Sequence, residues 1–254
     1  MQQFYKCLSG EFKKRKRSTF LLLHLCLPLL LTGILMLYFF SRNAPLSAAA
    51  SYVIFFQIIG ITTPIIVSLL CGMVADAESE AGSFQNILGL TQSKTTSLLS
   101  QITMMILSYS AALFFALSMY VVALKFVVNV REVNIPLYYL TGAIFIAAAI
   151  FQYFFYHYIS YNYSIEISGI FGFVGMIINV LCLTTLGDKI WGFIPWAWAN
   201  RFSNYLKDSS LLFNIEVSKD PMIITGLYSF FILTCLIICL NIVWINKWEG
   251  RKTI

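Results

Sequence analysis

Long apolar runs alternate with short polar segments along the whole chain. Six of the runs are long enough to cross about 30 Å of hydrocarbon at a helical rise of about 1.5 Å per residue. Helices are the expected structure, because a bilayer offers no water to an open backbone, and the alternating pattern of barrel strands is absent. The sequence therefore predicts an all-α integral membrane protein with six spans, at residues 19–40, 52–73, 97–124, 137–159, 165–186 and 222–245.

Basic residues are concentrated towards the ends of the chain. Five of them form the run KKRKR at residues 13–17, directly before the first predicted span. Positive charge beside a span favours the cytoplasmic side, so we expect a cytoplasmic N-terminus, and six crossings return the C-terminus to that side. Apolar and basic residues alternate over residues 1–18, which predicts a helix lying on the inner membrane surface. Residues 19–254 are expected to form a single transmembrane domain in the plasma membrane.

The composition agrees with this organisation. Of the 254 residues, 59% are hydrophobic and 11% are charged, and a soluble domain has no use for so much apolar surface. The net charge is +6, and the basic residues are most concentrated directly before the first span. This is the position expected from membrane orientation, so the charge does not indicate a nucleic-acid partner. The six cysteines lack metal-binding spacing, and we interpret them as small buried side chains.

The sequence shows no arrangement typical of a catalytic or metal site. His24 and His157 are far apart and belong to no metal-binding motif. Glu78 and Glu80 lack the partner residues of a membrane protease, and TQSKTTS lacks the glycines of a phosphate-binding loop. The spans are nearly free of charge, which disfavours a proton-driven transporter. We therefore expect no enzymatic activity, no bound metal and no cofactor, with any ATP hydrolysed by another chain.

A polar segment, residues 77–90, lies between the second and third predicted spans. We predict a short amphipathic helix here, with Phe84 and Leu88 on its apolar face and with Glu78 and Glu80 near its start. The positive end of the helix would stabilise both carboxylates. Acidic residues are unfavourable on the negative inner leaflet, so the preferred interpretation is a helix that inserts into a groove on a partner protein.

This segment resembles a known motif. The pattern E-x-E-x-G-x-F-Q, followed by the TQSK turn into the third span, is similar to the coupling helix of type-2 ABC exporter permeases. The chain length, the six spans, the basic N-terminal helix and the IPWAWANR segment resemble the permease subunits of lantibiotic self-protection transporters, the nisin, mutacin and epidermin immunity group. The match in the segment is carried by Glu78, Glu80, Gly82, Phe84, Gln85, Leu88 and Leu90.

The resemblance implies an ABC-2 permease fold and a set of partners. A second, similar permease would pair with this chain, and two copies of a cytosolic ATPase, which bind ATP and Mg, would dock below. The substrate would be a cationic lantibiotic peptide, expelled from the membrane before it forms pores, which gives the producing cell immunity. The ATPase-coupling residues would be Glu78, Glu80, Phe84, Gln85 and Leu88.

Three tryptophans, Trp191, Trp196 and Trp198, lie in the outer loop predicted over residues 187–221. Indole prefers the level of the lipid headgroups, so an interfacial aromatic belt is the simplest interpretation. The alternative is a re-entrant segment that forms the peptide exit or a recognition surface.

The fifth predicted span contains three regularly spaced glycines, Gly169, Gly172 and Gly175. Because glycine has no side chain, these positions would let a neighbouring helix approach closely. We therefore expect them to act in helix packing.

The same sequence pattern is compatible with other functions. A bacitracin-type or multidrug permease would share much of the same pattern. A membrane-embedded immunity protein could sequester the peptide without pumping it, with the aromatic outer loop as its binding surface. An intramembrane hydrolase would depend on Glu78 and Glu80 alone.

Overall fold

The computed structural model describes residues 2–41, 46–85, 89, 93–208 and 221–251. In these residues every regular element is helical, and six helices are long and apolar enough to cross a membrane. The described part of the chain is therefore that of a helical multi-pass membrane protein, as the sequence predicts. The α-helices are α1 (Gln2–Arg15), α2 (Thr19–Ser41), α3 (Ala48–Glu80), α4 (Lys94–Phe126), α5 (Ile135–Asn162), α6 (Ile165–Cys182), α7 (Trp198–Asp208) and α8 (Pro221–Lys247).

The second spanning helix, α3, is longer than the apolar run that predicted it. Its 33 residues make a helix about 50 Å long, which exceeds the thickness of the hydrocarbon. The extension has the sequence ADAESE, in which alanine and glutamate favour a helix although the segment is polar. The helix ends where Gly82 adopts a φ of 122°, a conformation that glycine tolerates and other residues avoid.

The core lies around α3, which packs most extensively against α6 and then against α5. An aromatic cluster joins α3 to α4 and α5. The ring of Phe55 stacks on Tyr120 at a centroid distance of 4.2 Å, and the Tyr52 hydroxyl lies 2.7 Å from Thr141 Oγ1. Large apolar side chains of α2 and α8 remain exposed, which suits helices that face lipid.

The contact between α3 and α6 depends on one of the predicted packing glycines. A Cβ atom at Gly172 would collide with the Ser68 side chain and would lie 3.0 Å from the Pro64 carbonyl oxygen. Gly169 is different, because a Cβ atom there would meet only Leu69 Cδ2, at an ordinary distance of 3.5 Å. The close approach of the two helices therefore requires a glycine at position 172, whereas position 169 could accommodate a methyl group.

We expect Gly172→Ala to destabilise the protein by about 1–3 kcal/mol, because the added methyl group overpacks the α3–α6 contact. Gly169→Ala is the matched control, and it should be neutral or slightly stabilising because alanine favours a helix. Thermal unfolding of the purified variants in detergent measures the difference. Equal stability of the two variants would contradict this account of the interface.

Candidate functional site

Residues near both ends of the chain meet at the C-terminal end of α3. The Arg15 guanidinium lies 3.2 Å from the Glu78 carboxylate, and the Arg251 guanidinium lies 3.0 Å from the Asp76 carboxylate. Arg251 also donates a hydrogen bond of 2.7 Å to the carbonyl oxygen of Ser160, near the end of α5. We call this end of the helix bundle the terminal face; it comprises α1 and residues 74–85, 93–101, 157–164 and 245–251.

Glu78 lies at the centre of the terminal face, with 2% of its surface exposed. Its Oε1 accepts hydrogen bonds from Lys14 Nζ at 2.9 Å and from Arg15 Nη2 at 3.2 Å. Lys14 also donates to Glu11 Oε1 at 2.7 Å. A carboxylate buried to this extent requires opposite charges beside it, since desolvation alone would be very unfavourable. These ion pairs therefore attach α1 to the end of α3.

The ion pairs also raise the pKa of the Lys14 ammonium group. Burial by itself lowers the pKa of its ammonium group, but hydrogen bonds and charge attraction from Glu11 and Glu78 outweigh that effect, and the pKa rises above its ordinary value of 10.5. Because the folded-state pKa is the higher one, the associated stability is fully present at neutral pH. It is lost only when the pH rises through the folded-state pKa.

Buried polar groups continue from these ion pairs into the bundle. Gln101 Nε2 donates to Glu11 Oε2 at 3.5 Å, and Gln101 Oε1 accepts a hydrogen bond from the Tyr161 hydroxyl. His157 Nε2 lies 2.9 Å from the same Gln101 oxygen, and the imidazole stacks on the Tyr161 ring at 4.2 Å. Connected buried networks of this kind rigidify the elements that contribute to them. The terminal ends of α1, α4 and α5 are therefore held together.

Phe84 attaches the chain after α3 to the C-terminal residues. Its ring is 3% exposed and lies 5.3 Å from the ring of Tyr161 and 5.1 Å from that of Trp248. The Arg251 guanidinium lies 5.5 Å from the same ring, in a cation–π arrangement. Lys94 Nζ, at the start of α4, donates to the Trp248 carbonyl oxygen at 2.7 Å. Both ends of the connecting segment, residues 81–93, are thus attached to the residues that follow α8.

The helix predicted over residues 77–90 is not present as one element. α3 continues to Glu80, and the chain then turns, with positive φ at Gly82, Ser83 and Phe84. Both glutamates of the motif therefore occupy the C-terminal end of a helix. The macrodipole is unfavourable to carboxylates there, whereas the prediction had placed them at a favourable start. At Glu78, Lys14 and Arg15 of α1 compensate for this position.

The five proposed coupling residues differ in what they contact. Glu78 and Phe84 are buried and engaged within the chain, as described above. Glu80 and Gln85 are exposed at the surface of the terminal face. Leu88 lies outside the described residues. Of the four that are described, only Glu80 and Gln85 have side chains exposed at the surface.

The segment between α6 and α8 enters the bundle from the end opposite the terminal face. Trp196 Nε1 donates to the Tyr156 hydroxyl at 2.8 Å, and its ring lies 5.6 Å from that of Phe155. The ring of Trp198 lies 5.8 Å from that of Phe151. Phe151 is about 24 Å along α5 from its first residue, and the whole helix measures about 42 Å. The two indoles therefore reach past the midpoint of α5, and the segment is re-entrant.

Protein atoms enclose two of the three indoles of this re-entrant segment. Trp191 is 1% exposed, and Trp198 is completely buried. Two glycines make room for the rings: a Cβ atom at Gly226 would lie 2.8 Å from the Trp191 ring, and one at Gly175 would lie 2.7 Å from Trp196 Nε1. A belt residue keeps its indole at the headgroup level, so the belt interpretation does not describe Trp196 or Trp198, whose rings lie past the midpoint of α5.

Arg201, in α7, explains why α6 ends at Cys182 and not near residue 186. Its Nε donates to the Cys182 carbonyl oxygen at 2.7 Å, and its Nη2 donates to the Thr184 carbonyl oxygen at 3.1 Å and to the Asp188 carboxylate at 2.7 Å. A cation at this position satisfies carbonyl groups that the end of a helix leaves without partners, and it is favourable to the helix dipole.

The sequence alone does not identify the cations that hold these sites together. Lys14, Arg15 and Arg251 lie near the ends of the chain, where basic residues indicate membrane orientation. Asp76 and Glu78 lie at the polar end of an apolar run, on the same predicted side of the membrane as those cations. This was the signal available in the sequence. That coincidence indicates ion pairing in general, but the choice of partners depends on how the helices pack.

An apolar groove lies between α2 and α3. Its volume is about 330 Å³, and its walls come from α2, α3 and α4, with Leu27, Ile59 and Leu113 among the lining residues. His24 Nδ1 lies 2.8 Å from the Phe20 carbonyl oxygen, and His24 Nε2 has no partner among the described residues. A lining of this kind accepts apolar groups such as acyl chains or aliphatic side chains.

The described residues define a helical multi-pass membrane protein. Ion pairs and hydrogen bonds hold its terminal face together, and one of its segments is re-entrant. Compared with known proteins, the chain matches no family model, no curated protein and no solved structure. Within the described ranges, no three His, Cys, Asp or Glu residues are grouped so that they could hold a metal ion. A functional proposal therefore depends on the geometry and chemistry of the terminal face.

Proposed function

We propose that this chain is the membrane permease subunit of an ABC exporter that removes a lantibiotic or similar antimicrobial peptide from the plasma membrane. In this proposal, both termini and the terminal face are cytoplasmic. Two copies of a separate ATPase bind there, and a second, similar permease completes the complex. The chain itself has no catalytic role, and ATP and Mg are bound by the ATPase.

The observation that carries the proposal is the construction of the connecting segment. Its described residues include an exposed Gln85 and a buried Phe84, and the last residue of α3, Glu80, is exposed beside them. The exposed side chains are available to a partner, while the buried ring and the Lys94–Trp248 hydrogen bond attach the segment to the bundle. A protein that pushes on this surface would therefore also displace the helix ends to which the segment is attached.

The ion pairs of Glu78 extend the mechanical connection. Because Lys14 and Arg15 hold α1 against α3, and Arg251 holds the C-terminal residues there, a displacement of the segment would move three parts of the chain together. Since α3 also packs closely on α6 through Gly172, the movement would reach the helix that leads into the re-entrant segment. This path connects an ATPase on one side of the membrane with an exit region on the other.

Charge reversal at an exposed position tests the docking surface. We expect Glu80→Lys to reduce co-purification of the ATPase about tenfold, which corresponds to a contact residue worth about 1.4 kcal/mol. Tolerance of the cells to a cationic lantibiotic should fall in parallel. Glu249→Lys is the matched control, because Glu249 is also exposed at the terminal face but belongs neither to α3 nor to the connecting segment.

The controls separate the possible outcomes. Both variants should accumulate in the membrane at the wild-type level, since exposed substitutions change stability by less than about 0.5 kcal/mol. The proposal would be contradicted if no ATPase co-purified with the wild-type chain and if deletion of the chain left peptide tolerance unchanged. Protection that survives removal of the ATPase would support sequestration of the peptide instead.

A further inference from the structure

A second pocket lies at the terminal face, between α1, the start of α2 and the middle of α4. Its volume is about 300 Å³. One part of its wall is basic, with Lys13, Arg15 and Lys16, and the other part is apolar. The remaining lining residues are Ser9, Phe12, Phe20, Leu21, Met104 and Ser108.

Two of the three basic residues in the wall are not neutralised by the chain. Lys13 and Lys16 are exposed, and neither forms an ion pair with a carboxylate of the described residues. Lys14, between them, is directed to the other side of α1, where it binds Glu11 and Glu78. Lys13 and Lys16 therefore remain unpaired at the pocket, whereas Lys14 and Arg15 pair with carboxylates.

Arg15 supplies an independent observation. Its residue surface is 8% exposed, and its Nη2 donates to Glu78 and to the Val74 carbonyl oxygen. Its Nε, however, is buried and has no hydrogen-bond partner in the described part of the chain. A buried N–H group of a guanidinium without an acceptor is unfavourable, and the pocket that Arg15 lines can supply that acceptor from a ligand.

We propose that this pocket binds the phosphate headgroup of an anionic phospholipid, with an acyl chain along the apolar wall. Lys13 and Lys16 attract the phosphate, and the Arg15 Nε donates to one of its oxygens. Phe20 and Leu21 begin the first spanning helix, so the apolar wall continues directly into the bilayer. A soluble phosphate would use the cations but would leave this wall exposed, which is why the lipid is the favoured ligand.

The test is a lipid titration of the full-length chain followed by native mass spectrometry. Phosphatidylglycerol, phosphatidylcholine and free glycerol phosphate are compared as probes. Each basic residue near a membrane surface strengthens binding to anionic lipid. The loss of two such residues in Lys13→Gln/Lys16→Gln should therefore weaken the binding of phosphatidylglycerol roughly 30-fold. Arg15 is not substituted, because its ion pair with Glu78 would be lost as well.

The control pair is Lys6→Gln/Lys247→Gln, which removes the same charge from α1 and α8 outside the pocket. It should weaken phosphatidylglycerol binding less than threefold, and both double variants should unfold at the wild-type temperature because all four side chains are exposed. Equal weakening by the two pairs, or equal binding of phosphatidylcholine, would overturn the proposal. Glycerol phosphate that binds as tightly as the lipid would show a site for soluble phosphate and would overturn the lipid assignment.

Discussion

We expect Glu78→Gln to lower the free energy of unfolding by about 3–5 kcal/mol, because it removes the anion of a buried ion-pair cluster and leaves Arg15 without a counter-charge. Thermal unfolding in detergent measures the loss. A second readout is the rate of tryptic cleavage within α1, which contains Lys6, Lys13 and Lys14. Cleavage should accelerate, since Glu78 attaches this helix to the bundle.

Two further variants test the cause of this effect. Glu80→Gln changes the same side chain two residues away at an exposed position and should alter stability by less than about 0.5 kcal/mol. The double variant Arg15→Met/Glu78→Leu replaces the pair by apolar side chains and should recover more than half of the loss. If Glu78→Gln behaves like Glu80→Gln, the cluster does not hold α1 in place.

Trp198→Ala should be similarly destabilising, by about 3–5 kcal/mol, the usual range for truncating a large buried aromatic residue. The variant loses ring contacts to Phe151 and Phe230, whose centroids lie 5.8 Å and 5.3 Å away. It also loses the hydrogen bond from Trp198 Nε1 to the Gly192 carbonyl oxygen. The thermal midpoint of the purified variant in detergent reports the change.

Phe193→Ala is the control for this position. Phe193 belongs to the same re-entrant segment but is 59% exposed, so its truncation should change stability only slightly. An interfacial belt would give a different result, with a small and similar effect for both aromatic residues. Such a result would contradict the re-entrant description of the segment.

These expectations decide which variants can report on coupling to an ATPase. A Glu78 or Phe84 variant would lose function whether or not these residues contact a partner, since both support the terminal face. Glu80 and Gln85 are exposed, so their variants separate docking from folding. The described part of the motif that suggested the coupling role therefore contains two kinds of residue. Glu78 and Phe84 hold the end of α3 and the connecting segment in place, and Glu80 and Gln85 are exposed beside them.

Much of the membrane architecture could be predicted from local sequence. The six spans were found because an apolar run of sufficient length carries its own signal. Their ends were harder to find. The polar end of α3 was interpreted as part of a separate helix, because a fall in hydropathy marks the membrane boundary and not the end of a helix. Gly82 was the residue that did mark that end.

The candidate sites were only partly predictable. Glu78 and Phe84 were singled out by their motif, but their burial depends on residues more than 60 positions away, including Arg15 and Trp248. For Trp198, an interfacial belt is the simplest interpretation of the sequence, because indole generally prefers that level, and a re-entrant segment is the alternative. Its observed position depends on a space between α5 and α8 that exists only after the helices have packed.

The sequence by itself determined that this chain is a helical membrane protein with six apolar spans, because hydropathy and length act within each segment. Only the tertiary structure decided which charged residues are paired, which are exposed, and that the outer segment folds back into the bundle. Those properties arise from contacts between helices that are distant in the chain, and such contacts depend on side-chain shape and charge on both partners at once.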